Sequence, residues 1–127
     1  YRIVSVEPIS TINIKRLRVF IVVKQKCELN ELSLITKKIA DQVKFTEVHA
    51  SSKMENIHKN QPARAIWCYF GKDESDIENH LHYAYTIWVA DDEMKRLYFK
   101  ESTNSFIFRS KSFGVSANPI IPINSFS

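Results

Sequence analysis

Hydrophobic and polar positions alternate along several short stretches of the chain, as they do in half-buried β-strands. The stretches richest in aromatic and β-branched residues are Arg64–Gly71 and Tyr83–Ala90, and they predict the two central strands of a sheet. Alternation also predicts strands at Tyr1–Glu7 and Ile14–Gln25, and a fifth strand at Met94–Lys100. The fifth strand would form an antiparallel hairpin with the strand before it.

One stretch follows the period of an α-helix instead. Apolar residues recur at helical spacing after Asn30, which we predict to be the N-cap: Leu32, Ile35, Ile39 and Val43. Residues 47–61 are polar and weakly patterned and predict mainly a loop, while the acidic connection 72–82 predicts a loop with one helical turn at Asp76–His80. The sequence therefore predicts an α+β fold, with a mostly antiparallel sheet of about five strands and one principal amphipathic helix packed on one face.

The size and composition of the chain indicate one ordinary globular domain. It has 127 residues, of which 44% are hydrophobic and 25% are charged. We expect a single domain over residues 1–127, with 110–127 as an extended C-terminal tail packed on the surface. No apolar run is long enough to cross a bilayer. Because the chain begins with Tyr1 and not Met, a removed leader, anchor or further domain stays open, and so does the compartment.

The positive charge is concentrated in the first half of the chain. The net charge is +4, and residues 64–127 contain one more acidic than basic residue. Arg16 and Arg18 share one face of their predicted strand, and Arg96, Tyr98 and Lys100 share a face of theirs. If these faces coincide, they form a basic, partly aromatic surface that would bind nucleic acid weakly. A solvated face of an antiparallel sheet is the simpler interpretation.

Catalytic motifs are scarce. With Gly71 and Gly114 as the two glycines, the chain has no Gly-rich loop of the kinds that bind nucleotide phosphates, and no Gly-x-Ser-x-Gly turn. Cys27 and Cys68 lack the CxxC spacing of redox or metal sites, and a disulfide between them stays open. We expect no catalytic residues, no metal and no cofactor.

One acidic and histidine-containing cluster provides the enzymatic alternative. If the segment is extended, His80 and His82 point to the same side, near Asp73 and Asp76. Such a cluster would suit a small hydrolase, although a structural metal site needs more ligands than this spacing supplies.

The aromatic residues provide the leading interpretation. Trp67 and Tyr69 share one face of their strand, and Tyr83 and Tyr85 share another. Most large aromatic side chains are core, but an exposed set would be a natural contact surface for a protein. We predict a non-enzymatic protein–protein interaction module, of an accessory or immunity type, that binds through a sheet face or the 72–82 loop. The predicted binding residues are Trp67, Tyr69, Asp73, Asp76, His80, His82, Tyr83, Tyr85, Arg96 and Tyr98.

The order of these segments resembles a small family of bacterial and phage α+β domains with no assigned function. The matching segments lie within residues 14–93: Lys15–Lys24, Asn30–Lys44, Ala65–Phe70, Asp73–Asp76, and Ala84-Tyr85-Thr86 with Ala90-Asp91. This chain has Trp88 where the family usually has Gly, and Asp92-Glu93-Met94 where the family has a Trp-x-Pro-x-Gly turn. The resemblance implies a compact α+β domain, often secreted or tethered, with no catalytic residues to carry over.

Overall fold

The computed structural model describes residues 1–25, 27–99, 105–107, 109–110 and 120–122, with side chains for 1–25 and 27–98. The main elements, in chain order, are β1 (Arg2–Pro8), β2 (Arg16–Val22), α1 (Leu29–Val43), α2 (Ser52–His58), β3 (Ala65–Gly71), α3 (Glu74–Glu78), β4 (Ala84–Val89) and α4 (Asp92–Phe99). Three short strands follow: β5 (Ser105–Ile107), β6 (Arg109–Ser110) and β7 (Ile120–Pro122). The α+β class is confirmed.

The main sheet is mixed, where the sequence predicted a mostly antiparallel one. Its strand order is β1-β2-β3-β4, with the two-residue β6 beside β4. β1–β2 and β3–β4 are antiparallel, but β2–β3 is parallel. A parallel pair needs a long crossover, and the connection between β2 and β3 contains α1 and α2. β5 and β7 form a separate two-stranded antiparallel sheet.

The two faces of the main sheet have different coverings. On one face, inward side chains of β2, β3 and β4 join the buried stripe of α1 in the main core, which includes Leu17, Val19, Ile21, Leu32, Ile39, Val43, Ile66, Cys68, Phe70 and Trp88. The opposite face, which we call the open face, carries Arg18, Phe20, Trp67, Tyr69 and Tyr85. At one end of the open face, Met94 of α4 packs in a smaller cluster with Ala65, Ile87 and Val89.

The helices differ from the prediction of one principal helix. α1 begins one residue before Asn30, because Glu28 is its N-cap and forms a reciprocal capping box with Glu31. Within the polar segment predicted as a loop, α2 begins after Ser51, whose side chain accepts a hydrogen bond from the Met54 amide. The helical turn predicted at Asp76–His80 is α3, which ends at Glu78.

The predicted fifth strand at Met94–Lys100 is wrong for the residues that the structure describes, because Asp92–Phe99 is the helix α4. Asp91 initiates this helix: its Oδ1 accepts a hydrogen bond of 2.9 Å from the Met94 amide. Met94 and Tyr98, one helical turn apart, then both pack toward the open face. The predicted hairpin with β4 is therefore absent, and Lys100 lies outside the described residues.

Two further expectations concern the tail and the cysteines. Most of the predicted tail at residues 110–127 lies outside the described part of the chain. Both cysteines are buried and free, so the disulfide left open by the sequence does not form. Across the described ranges, the helices are too short or too polar to cross a membrane.

Candidate functional site

Three aromatic side chains stand side by side on the open face because the strand register aligns them. Phe20 of β2 lies opposite Tyr69 of β3, and Tyr69 lies opposite Tyr85 of β4. Their ring centroids are 5.4 Å and 5.8 Å apart, with the planes inclined by 25° and 27°, so neighbouring rings are stacked. The three rings form a continuous stripe across the middle of the sheet.

His82 completes this group, which we call the aromatic cluster: Phe20, Tyr69, His82 and Tyr85. The imidazole centroid lies 4.7 Å from the Tyr69 ring and 6.2 Å from the Phe20 ring. Phe20 is buried, whereas the other three side chains are half-buried. Burial raises the pKa of Tyr69, so at neutral pH this phenol is uncharged and has a proton to donate. The aromatic cluster thus combines apolar ring surface with polar tips.

Trp67 forms a second group toward the α4 end of the open face. The Arg16 guanidinium carbon lies 5.5 Å from a Trp67 ring centroid, and the Tyr98 ring meets Trp67 at 5.1 Å and 86°. Arg16 also donates hydrogen bonds to the Ile9 carbonyl at 2.8 Å and to the Tyr98 hydroxyl at 3.2 Å. These contacts hold Arg16 against the sheet and fasten α4 to it.

Arg18 lies between these two groups. Its guanidinium carbon is 5.5 Å from the Phe20 ring centroid, and its Nη2 donates a 2.7 Å hydrogen bond to Glu7. The side chains of Arg18 and Glu7 are 40% and 43% exposed, so solvent reaches this ion pair. Glu7 therefore offsets part of the positive charge that the open face presents.

The two predicted acidic site residues of the 72–82 loop are used locally. Asp73 is the N-cap of α3, and its Oδ1 accepts a 2.9 Å hydrogen bond from the Asp76 amide. Asp76 Oδ2 accepts a 2.9 Å hydrogen bond from the Lys72 amide. Both carboxylates thus stabilise the turn into α3.

The chain at the two loop histidines is not extended, so the condition under which the sequence placed them on the same side is not met. His80 has a left-handed backbone with φ of 57°, and it closes α3 with hydrogen bonds from the amides of His80 to Ile77 (3.2 Å) and of Leu81 to Asp76 (2.8 Å). The two imidazole rings are 6.5 Å apart and nearly perpendicular. Across the described ranges, His, Cys, Asp and Glu side chains do not gather in groups of three that could hold a metal ion.

The structure brings together some of the other predicted binding residues and separates the rest. Trp67, Tyr69 and Tyr85 share the open face, whereas the sequence placed Tyr85 on a different face from the other two. The prediction that Tyr83 shares a face with Tyr85 is wrong, because Tyr83 precedes β4 and is fully buried in the main core, where burial raises the pKa of its hydroxyl. Arg96 is exposed on α4, and Tyr98 contacts Trp67.

A polar cluster that the sequence did not reveal lies beside the start of β2. The buried Lys15 Nζ donates to the Gln61 carbonyl (2.6 Å) and to Glu47 (3.2 Å), and Glu47 also contacts His49 Nε2 (3.0 Å). The hydrogen bond with His49, with those from Lys15 and the Asn60 amide, lowers the pKa of Glu47 to about 2. One signal was available: Lys15 has the same strand phase as the inward-facing Leu17.

The acidic turn after β4 also has a structural explanation. Arg64 Nη2 contacts Asp91 at 2.9 Å and Glu93 at 2.6 Å. Burial tends to raise the pKa of Asp91, but the hydrogen bonds from the Met94 amide and from Arg64 outweigh it, and the pKa is lowered. Asp91 thus binds Arg64 and starts α4, and Glu93 also binds Arg64.

Comparison of the chain with protein-family models, with curated proteins and with solved structures finds no match. The resemblance to bacterial and phage domains therefore stays a prediction.

Proposed function

We propose that the domain is a non-enzymatic interaction module that binds another protein through the aromatic cluster on the open face. The observation that carries this proposal is the register that brings Phe20, Tyr69 and Tyr85 together in one stripe. Tyrosine is enriched among the residues that dominate binding energy, because its ring contributes apolar area and its hydroxyl a hydrogen bond.

The surroundings of the aromatic cluster support a protein partner. Leu81, next to His82, is 58% exposed and adds apolar surface at the edge of the cluster. Arg18 and Glu7 form an exposed ion pair on the neighbouring strands. An apolar centre with a polar rim is the usual anatomy of a protein–protein interface.

The ring geometry favours a protein over nucleobases. In proteins that bind single strands, aromatic rings offer their faces to bases. Here the Tyr69 ring is stacked between Phe20 and Tyr85, so its neighbours cover part of both faces. Ring edges remain for contact, and these suit the side chains and backbone amides of a protein.

Weak nucleic-acid binding is the second candidate, because Arg16 and Arg18 lie on the same face as Trp67 and Tyr69. Arg96 on α4 adds an exposed cation. However, Arg18 is paired with Glu7, and Arg16 is held by Ile9 and Tyr98. A hydrolase gains no support from the described loop residues, since Asp73 and Asp76 accept hydrogen bonds from backbone amides of the loop.

The test is capture of the partner by the purified domain, followed by binding measurements with that partner. The domain is immobilised, exposed to nuclease-treated lysate of its own cells at moderate salt, and the retained proteins are identified by mass spectrometry. Titration calorimetry then compares the wild type with Tyr69→Ala and Tyr85→Ala. Phe45→Ala is the matched control, because Phe45 is 59% exposed but lies outside the aromatic cluster.

We expect one stoichiometric protein, bound equally by the wild type and Phe45→Ala. Each tyrosine substitution should weaken binding by about 2 kcal/mol, or roughly 30-fold. Equal binding by all four proteins would contradict the proposal. A parallel capture from lysate without nuclease tests the second candidate. Retention of nucleic acid alone, with an affinity that falls steeply with salt, would favour it.

A further inference from the structure

β1 is an edge strand: within the described ranges, β2 is its one strand neighbour. An edge strand presents backbone N–H and C=O groups that another strand can pair with. The Ile9 amide donates to the Arg16 carbonyl at 3.1 Å, and the direction of these groups alternates along a strand. Ser5 and Glu7 therefore direct their backbone groups toward β2, whereas Val6 directs its N–H and C=O outward.

A β-bulge near the start of β1 changes which residues direct their backbone groups toward β2 and which direct them outward. The register shifts between Ile3 and Ser5, so that Ile3 lies opposite Ile21 and Ser5 lies opposite Phe20. Val23 donates to the Gly71 carbonyl of β3 at 2.9 Å, which means that Ile21 also faces β3. Ile3, opposite Ile21, therefore directs its backbone groups outward.

Within β1, the residues that direct both an N–H and a C=O outward are thus Ile3 and Val6, three positions apart; Pro8 has the phase of Val6 but no N–H. In a regular strand they would be two positions apart, so a regular strand cannot match both. A strand with the same bulge can match both when it runs antiparallel. The bulged edge therefore selects against ordinary strands and suits a copy of itself.

We propose that β1 pairs antiparallel with β1 of a second copy of this chain, about a twofold axis between Val4 and Ser5. Ile3 then lies opposite Val6 of the second copy, and Val6 lies opposite Ile3 of the second copy. Each of these two pairs exchanges two backbone hydrogen bonds. The main sheets of the two copies become one continuous sheet. Such an arrangement is isologous, with the same surface on both copies.

The charges on β1 are self-complementary in the same register. Arg2 lies opposite Glu7 of the second copy, and both residues belong to the open face, because their β2 neighbours are Val22 and Arg18. Within one copy Arg2 contacts Glu74 at 2.7 Å, and Glu7 contacts Arg18 at 2.7 Å. Pairing would therefore place four charges of alternating sign in a row across the dimer: Glu74 and Arg2 of one copy, then Glu7 and Arg18 of the second copy. Opposite charges across a strand pair are favourable.

The apolar side chains also agree with this pairing. Ile3 and Val6 both pack at the margin of the main core, on the face that α1 covers. Opposite residues of an antiparallel pair point to the same side of the sheet. Ile3 and Val6 of the second copy would therefore meet there, and the core would continue across the axis.

Analytical ultracentrifugation of the full chain, from micromolar to about 1 mM, tests the proposal. We expect a monomer–dimer equilibrium that Val6→Pro weakens at least about tenfold, because proline removes an outward N–H that the β1–β2 ladder does not use. Val6→Ala is the matched control: it shortens the side chain but keeps the N–H, and should still dimerise. Circular dichroism checks that both variants are folded.

Charge exchange provides a second, independent measurement. Arg2→Glu and Glu7→Arg should each weaken the dimer, because like charges then lie opposite one another, and the double variant should restore it. A monomer at every concentration would overturn the proposal, and so would a dimer that Val6→Pro leaves unchanged or that the double variant does not restore. The Tyr69→Ala and Tyr85→Ala variants should dimerise normally, which separates this test from that of the open face.

Discussion

Two buried threonines connect α1 to the sheet by a directional chain of hydrogen bonds. The Oγ1 atoms of Thr36 and Thr86 are 2.6 Å apart, and Thr36 Oγ1 donates to the Leu32 carbonyl at 2.7 Å. Since that carbonyl can only accept, the Thr36 hydrogen is used there, and Thr86 must donate to Thr36. Both threonines are fully buried, so the two hydroxyl groups have no access to water.

This direction predicts unequal effects of replacing each threonine with valine, which keeps the shape but removes the hydroxyl. Thr36→Val removes the acceptor of a buried hydroxyl and should cost about 2 kcal/mol of unfolding free energy. This cost stays below about 3 kcal/mol, the upper end for a buried hydroxyl left without a hydrogen-bond partner. The reason is that Thr86 also contacts the thiol of Cys68. Thr86→Val leaves Thr36 bonded to Leu32 and should cost about 1 kcal/mol.

The double variant is the decisive protein. It has no unsatisfied hydroxyl, so adding Thr86→Val to Thr36→Val should recover about 1 kcal/mol, although each substitution alone destabilises. Urea unfolding followed by the fluorescence of Trp67 and Trp88 measures all four proteins. With a slope of about 1–3 kcal/mol per molar urea, the midpoint of Thr36→Val should fall by about 1 M. Equal costs for the single variants, and additive costs in the double variant, would refute the reasoning.

Three further predictions use the same unfolding measurement. His80→Gly should raise the unfolding free energy by about 0.5–1 kcal/mol, because His80 has a φ of 57° that glycine adopts without steric strain; a loss of stability would contradict this. The pKa of Glu47 is lowered from 4.5 to about 2, so Glu47 stabilises the fold above pH 4.5 and loses that effect as the pH falls through about 2. The stability advantage of the wild type over Glu47→Gln should therefore shrink over this range, and a constant difference would count against the cluster. Gly71→Ala should cost about 1 kcal/mol, because the new Cβ would lie 2.9 Å from Ile77 Cδ1 and 3.0 Å from Asp76 Cβ, and α3 must shift; an unchanged midpoint would show that α3 moves freely.

Elements whose residues repeat at one clear period were predictable from the chain alone. The apolar stripe of α1 is an example, since Leu32, Ile39 and Val43 are all buried as the helical spacing predicted. The strands β3 and β4 were likewise predicted, but the central strands of the four main ones are β2 and β3, since β4 is followed in the sheet by the two-residue β6. These elements form large buried surfaces, and burial of apolar area is what the hydrophobic pattern encodes.

Short segments were less predictable, because local hydrogen bonds decide between conformations that the pattern leaves almost equal. The segment after β4 alternates well enough for a strand, yet the Asp91 carboxylate caps a helix there. Ser51 does the same for α2, in a stretch with little apolar pattern. The N-cap of α1 is also decided by a local contact. It is Glu28 and not the predicted Asn30, because Glu28 forms a reciprocal capping box with Glu31.

Within a strand whose bounds are known, the sequence by itself determines which side chains share a face, because side chains alternate along every strand. It failed for Tyr83 and Tyr85, because Tyr83 precedes β4 and lies in the main core. It determined that Trp67 and Tyr69 lie together and that Arg16 and Arg18 lie together. Only the tertiary structure decided that these two pairs share the open face with Tyr85, through the parallel pairing of β2 with β3 and the register of β3 with β4. Register across strands depends on the whole core and its connections, so no single strand contains that information.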